Sequence, residues 1–377
     1  MKKNILVISD YYLPHWTGVP KVIRNIIKEL SKHGLNFTVL TVRHNSNLRE
    51  EEVIDNVKVV RCNPSIYFSR AIFSIHMTLK YLRMINGYDV VFIHTPSVHI
   101  FPIIMISKLL GKKTIVFHHG DLTLPSGVAN RIIQEIYDLV MKLSLPFADK
   151  ILCHTLDYAK HSRNIKNHLI KFEATIPPYS YSAKKIKSKK LDEIYRIKKE
   201  GKIVFGSAGR FVEEKGYDLL FKALPKILET TPNFHFIFAG QKTMGYEDYY
   251  SKLSKLIEQN KKHITLIGKL TEGELRTYYD LIDFVIIPSR TDCFNTVQVE
   301  ACLGGKLSIC SDIPGTRELV RNTGYGVLVN SKDTDDFAKK INEIITREKE
   351  LKKNKTKLYK YLSNENNAKL LYEILVS

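Results

Sequence analysis

A chain of 377 residues with 58 Lys and Arg against 39 Asp and Glu, net +19, is long for one core and comfortable for two domains. The cation surplus favours an anionic partner, but it is scattered along the chain without the aromatic-basic pattern of a nucleic-acid module, which argues against DNA or RNA. Five cysteines, odd in number and without metal-ligand spacing, read as reduced thiols of a cytoplasmic protein, and no cluster calls for a metal or another cofactor.

Met1-Lys2-Lys3 runs straight into a strand, Asn4 to Ser9, with no secretory leader pattern. Asp10 to Gly18 reads as a loop, and Pro20 suits the first turn of a helix whose apolar stripe is Val22, Ile23, Ile26, Ile27 and Leu30. No Gly-x-Gly-x-x-Gly follows the strand, which argues against a nicotinamide-dinucleotide enzyme. Strands recur at Phe37 to Val42, Val57 to Arg61, Val90 to His94, Lys113 to His118 and Lys150 to His154, and the helical patterns between them imply a parallel sheet. Arg70 to Ile85 mixes Phe73, Ile75, Leu79 and Leu82 with Arg70, Lys80 and Arg83, a composition that suits either an anionic membrane surface or a core helix with solvated cations. The apolar run Val98 to Leu110 contains Pro102 and Lys108 and is too short to span a bilayer. In His118-His119-Gly120-Asp121, neighbouring side chains of the strand point to opposite faces, so one histidine of the two faces a ligand. The bland alternative is a core histidine.

Pro177-Pro178-Tyr179 and the lysine-rich stretch Lys184 to Lys202, read as an exposed linker and helix, place the domain boundary: residues 1–180 and then 181–361. The second half opens with Ile203-Val204-Phe205-Gly206-Ser207-Ala208-Gly209-Arg210, a strand ending in small residues, with a helix from Tyr217 to Leu228 after it. Arg210 and Lys215 leave that strand end together and can clamp a diphosphate, or be two surface cations of a basic protein. A buried strand over Asp283 to Ile287 and a helix over Asn295 to Gly304 enclose the loop from Pro288, at the carboxyl end of a strand, where open α/β sheets bind ligands. Backbone amides of Phe294, Asn295 and Thr296 at the helix start suit a phosphate. Glu300 can accept hydrogen bonds from a ribose diol, and Asp292 from a second sugar. Two carboxylates around one phosphate site suggest a sugar nucleotide.

Over nearly its whole length the chain resembles the retaining glycosyltransferases of GT-B family 4, the glycosyl transferases group 1. Gly209, Arg210, Lys215 and Gly216 match the family's Gly-Arg-x-x-x-x-Lys-Gly run, and Asp292 with Glu300 stand where it has Glu-x7-Glu. Ser308 to Val320 and Tyr325 to Val329 resemble the end of its catalytic domain. The resemblance implies two Rossmann-like parallel-sheet domains facing a cleft: an acceptor-side domain over 1–180, completed by a helix over 362–377 that crosses back to it, and a donor domain over 181–361. It implies a UDP- or GDP-sugar as donor and a hydroxyl of a glycan or lipid-linked acceptor, without a metal, at the inner face of a membrane or free in the cytoplasm. Arg210 and Lys215 would stabilise the departing diphosphate, which itself takes the acceptor proton. His119 and Asp121 match the family's histidine and acid near the transferred sugar, Gly18 one of its two phosphate-loop glycines, and Gly240 and Leu270 the strand ends beside the base. Asp292, Asn295 in place of the usual glycine, and the single Gly18 depart from the pattern. Those departures keep two other readings open, a sugar-nucleotide epimerase and a carbohydrate- or membrane-binding protein without turnover.

Overall fold

The computed structural model describes residues 3–15, 17–68, 71–179, 184–245 and 247–377, so Arg70 and residues 180 to 183 at the expected boundary lie outside the described residues. Two compact units emerge, Met1–Tyr179 with Ser363–Ser377, and Ser180–Leu362.

Unit 1 begins with β1 (Asn4–Ile8), α1 (Gly18–Leu30), β2 (Asn36–Val42), β3 (Glu51–Ile54), β4 (Val57–Cys62) and a hairpin of β5 (Ile66–Phe68) and β6 (Ala71–Phe73). It continues through α2 (Ile75–Met84), β7 (Val90–Thr95), α3 (Ile100–Leu109), β8 (Lys113–His118), α4 (Val128–Ser144), β9 (Lys150–Cys153), α5 (Leu156–His161) and β10 (Phe172–Ala174). The sheet order is β10-β9-β8-β7-β1-β2-β4-β3, parallel except for β3 against β4. The central strands β1 and β7 are almost wholly apolar and buried, as a sheet covered on both faces requires. On one face α1 buries Val22, Ile23, Ile26, Ile27 and Leu30 against Val7, Val39 and Phe92. On the other, Tyr81 of α2 meets Ser107 of α3 through a 2.5 Å hydrogen bond.

The segment read as one helix from Arg70 divides differently. Ile72 and Phe73 pair across the hairpin with Tyr67 and Ile66, and the helix starts only at Ile75, where the Ser74 hydroxyl accepts from the Met77 amide. A serine cap set the boundary that apolar spacing missed.

Unit 2 contains α6 (Asp192–Lys199), β11 (Ile203–Arg210), α7 (Tyr217–Thr230), β12 (Phe234–Gln241), α8 (Tyr249–Gln259), β13 (Ile264–Gly268), α9 (Glu272–Leu281), β14 (Phe284–Ile287), α10 (Thr296–Leu303), β15 (Leu307–Ser311), α11 (Arg317–Thr323), β16 (Gly326–Val329), α12 (Thr334–Thr346), α13 (Glu348–Lys352) and α14 (Lys355–Tyr361). Its sheet runs β13-β12-β11-β14-β15-β16, and every pairing is parallel. The direction of winding reverses between β11 and β14, the switch point at whose carboxyl ends open α/β sheets form their binding crevice. The lysine-rich stretch is more than a linker, because Leu191, Ile194 and Ile197 enter the core of this unit.

The last helix, α15 (Asn364–Val376), belongs to unit 1. Ala368, Leu371, Ile374 and Leu375 join the core beneath α1, and Asn364 exchanges two hydrogen bonds with the Tyr179 backbone at 2.8 and 2.9 Å.

Candidate functional site

The crevice of unit 2 is built from the turn after β11 and the loop after β14. Arg210 ends its strand, and a tight turn, Glu213–Lys215, follows. Gly216 closes the turn at φ +67°, and a Cβ there would stand 2.1 Å from the Pro288 carbonyl oxygen. Only glycine lets the turn lie against the β14 loop. Arg290 fixes that loop from the other side, donating to both Asp218 oxygens at 2.7 Å and to the Glu213 carbonyl at 2.9 Å, while the Tyr249 hydroxyl donates to Asp218 as well. Burial raises the Asp218 carboxyl, but the hydrogen bonds from Arg290 and Tyr249 outweigh it and leave it lowered to about 2.

On this frame Lys215, Asp292 and Asn295 come together. Asp292 Oδ2 accepts from Lys215 Nζ at 2.7 Å, Asn295 Nδ2 at 2.6 Å and the Ser289 hydroxyl at 3.4 Å. Asn295 is also the cap of α10, accepting from the Gln298 amide at 2.9 Å. The residue in place of the expected glycine therefore starts the helix and joins it to the acidic residue. The amides of Asn295, Thr296 and Val297 precede the first helical acceptor, as in any helix start. Arg210 donates to Glu214 Oε1 at 2.7 Å, one side chain away from the Lys215 pair. Glu300, 5% exposed, accepts from the Tyr279 hydroxyl of α9 at 3.2 Å. Phe294 is buried and Thr296 half-buried.

Gly240 and Leu270 have structural occupations. Gly240 of β12 lies beside Gly209 of β11, whose carbonyl oxygen a Cβ would approach to 1.8 Å. Leu270, just past β13, packs on the core of unit 2.

In unit 1, His119 and Asp121, both expected near the transferred sugar, turn to different partners. Asp121 belongs with His118, whose Nε2 lies 3.1 Å from its Oδ1. The carboxylate also accepts from Ser162 Oγ at 2.6 Å, Asn164 Nδ2 at 2.9 Å and the Arg163 amide at 2.8 Å. Burial opposes its ionisation, but His118, Ser162 and Arg163 together hold it well below the usual carboxylate range. The alternation of a strand is the reason: His118 and His119 face opposite ways, and the chain folds Asp121 back under the former.

His119 stands in a row of three imidazoles instead. Its Nε2 is 2.7 Å from His94 Nδ1 and its Nδ1 is 3.3 Å from His154 Nε2, and Phe117 stacks against it. Burial lowers all three, aided by His154 at His94, by His94 and His154 at His119, and by His118 at His154: His94 and His154 fall to about 3, His119 well below its ordinary value. Neutral rings have one donor and one acceptor nitrogen, so the two bonds must run in the same direction. Either direction places an N–H on an outer nitrogen of the row, His94 Nε2 or His154 Nδ1, both of them buried.

The row has a sequence signal that was not read. Phe92-x-His94, Phe117-x-His119 and Leu152-x-His154 repeat one apolar-x-His pattern at three adjacent strand ends. Asp10 was missed too. It follows β1 and accepts from Ser97 Oγ at 2.6 Å and His99 Nδ1 at 2.8 Å, while His99 Nε2 accepts from the Ser74 amide at 2.9 Å. Gly18 begins α1, and a Cβ there would meet nothing within 4 Å. Residues between Leu124 and Gln134 line a groove at the start of α4.

Among the described residues, no group of three His, Cys, Asp or Glu is arranged to hold a metal ion and no helix is long and apolar enough to cross a membrane. All five cysteines are buried thiols.

Residues 189–361 match the family Glycosyl transferases group 1, and residues 16–170 match Glycosyltransferase Family 4. An uncharacterized glycosyltransferase of Methanocaldococcus jannaschii is 26% identical over 93% of this chain and 90% of its own. The GPI3 subunit of the Saccharomyces cerevisiae phosphatidylinositol N-acetylglucosaminyltransferase is 21% identical over 91% of this chain and 75% of its own. Among solved structures, sucrose-phosphate synthase of Thermosynechococcus elongatus superposes with a TM-score of 0.77 at 17% identity, covering 99% of this chain and 98% of that one. Anabaena HepE in complex with UDP gives 0.77 at 15% identity with both chains fully covered.

Proposed function

Because the chain belongs to the GT-B glycosyltransferases of family 4, we propose that it moves a sugar from a UDP- or GDP-sugar to a hydroxyl of a glycan or lipid-linked acceptor, with retention at the anomeric carbon. The observation that carries this reading is the join of Lys215, Asp292 and Asn295 at the switch point between β11 and β14, with Arg210 beside it. The similar Anabaena HepE has been solved with UDP and with UDP-glucose, which supports a nucleotide-sugar donor.

The chemistry follows from charge. The bond from the anomeric carbon to the phosphate oxygen breaks as the acceptor oxygen approaches on the same face, and the acceptor proton passes to the departing diphosphate. Negative charge then grows on that diphosphate. Arg210 and Lys215 stabilise it, aided by the amides that start α10. Arg210 pairs with Glu214 and Lys215 with Asp292, so both cations are held in position at the site. Glu300, held by Tyr279, takes the ribose diol. Asp292 orients Lys215 and offers its remaining acceptor capacity to the sugar. In unit 1, Asp121 anchors the turn after β8, and His119 is a neutral ring fixed by its two neighbours.

The test is turnover with a panel of UDP- and GDP-sugars, with and without acceptor alcohols, for wild type and Arg210→Ala. Nucleotide release that requires the acceptor and falls about a hundredfold or more in the variant is expected. Release from the donor alone would favour an epimerase, and undiminished turnover in the variant would remove Arg210 from the mechanism.

A further inference from the structure

We propose that the helical layer formed by α2, α3 and α4 of unit 1 docks on an anionic lipid bilayer, with the outward stripe of α4 as its apolar centre. The inference rests on unit 1 alone and goes beyond the donor reading.

Helix α4 turns two apolar faces in different directions. Tyr137, Met141 and Ser144 are buried towards the sheet. Val128, Ile132, Ile136, Leu139 and Leu143 are between 50% and 79% exposed. At 3.6 residues per turn these five fall within an arc of about 80° and extend along roughly 22 Å of helix. The neighbouring helices add to the face: α2 exposes Ile75, Leu79 and Leu82, and α3 exposes Phe101 and Leu109. Among the described residues of unit 2, the exposed large apolar side chains are only Ile186, Tyr195 and Tyr359. The apolar exposure is therefore concentrated on one unit, and an exposed apolar face of this kind marks an interaction site.

Charge selects the occupant. Neither α2 nor α3 contains an acidic residue. The two on α4 are neutralised, Glu135 by Arg131 at 3.0 Å and Asp138 by Arg163 at 2.9 Å. Each helix leads into a parallel strand, α2 into β7, α3 into β8 and α4 into β9, so all three end at the same edge of the sheet. At that edge their last turns carry Arg83, Lys108 and Lys142, each exposed. An apolar face with a row of cations along one rim fits acyl chains beside anionic headgroups. A second copy of this chain is disfavoured, because each copy brings a net charge of +19.

Flotation of the full chain with vesicles of phosphatidylcholine, and of phosphatidylcholine mixed with phosphatidylglycerol, tests the proposal. Wild type should float with the mixed vesicles, and high salt should weaken the association. Ile132→Ser with Leu139→Ser should lower the partition coefficient roughly tenfold or more, with an unchanged melting temperature because both side chains already face solvent. Lys108→Glu with Lys142→Glu, which leaves the stripe intact, should lower it for the anionic vesicles. Absence of wild-type flotation, or flotation unaffected by both variants, would overturn the proposal. So would a wild-type dimer in sedimentation velocity that the stripe variant dissolves, since the face would then belong to a second copy. None of these readouts needs turnover, so the docking face and the glycosyltransferase reading fail independently.

Discussion

Acid should loosen unit 1 well before its carboxylates titrate. His94 and His154 are lowered to about 3 in the fold, from an ordinary value of 6.5, chiefly by burial. A group whose folded value is depressed binds its proton more readily when unfolded, so stability is intact above pH 6.5 and declines as pH falls towards the folded value. Between pH 7 and pH 5 each ring costs about 2 kcal/mol, and His119 acts in the same sense. Two rings together correspond to a fall in melting temperature of about 10 °C for a unit of this size. Asp121 adds nothing in this window, because its depressed carboxyl stays ionised in both states until the unfolded value near 3.8 is reached. The assay is thermal unfolding at pH 7, 6 and 5 followed by a probe in unit 1. His94→Gln cannot titrate, so although it lowers stability at pH 7, its decline between pH 7 and pH 5 should be smaller by about 2 kcal/mol. A melting temperature that is flat over this range, an unchanged slope in the variant, or imidazole resonances that titrate near 6.5 would refute the neutral row.

Three further outcomes are expected. Glu300→Gln keeps a partner for the Tyr279 hydroxyl but loses the charge, so the donor KM should rise about tenfold while kcat stays within a factor of a few; initial rates against donor concentration check this. Gly216→Ala must relieve both a left-handed backbone and a Cβ placed 2.1 Å from the Pro288 carbonyl, and should destabilise unit 2 by about 1–3 kcal/mol in urea unfolding and depress turnover with it. Asp121→Asn removes the charge that four groups address and turns one acceptor into a donor, so it should cost about 2–4 kcal/mol of stability, measured at pH 7.

The strand succession was legible in the sequence because it depends on local pattern, the returning last helix was expected from the family resemblance, and Lys215, Asp292 and Asn295 were singled out from two short segments. Partners fixed by strand order were not. His94, His119 and His154 are far apart in the chain and meet because β7, β8 and β9 are neighbours, which periodicity alone does not reveal. The partner of Asp121, His118, is likewise fixed only by the path of the turn after β8. Arg290 lies in the loop from Pro288, but its two hydrogen bonds to Asp218 bridge segments that spacing does not connect. The α4 stripe is the inverse case. Its spacing is that of a core face, yet the buried seam is Tyr137, Met141 and Ser144, and only packing shows which apolar face meets the sheet.

The most direct test is a crystal structure with a UDP- or GDP-sugar bound. The expected result places the diphosphate within hydrogen-bonding distance of Arg210, Lys215 and the amides at the start of α10, with the ribose on Glu300. A nucleotide bound away from the carboxyl ends of β11 and β14, out of reach of Arg210 and Lys215, would contradict it.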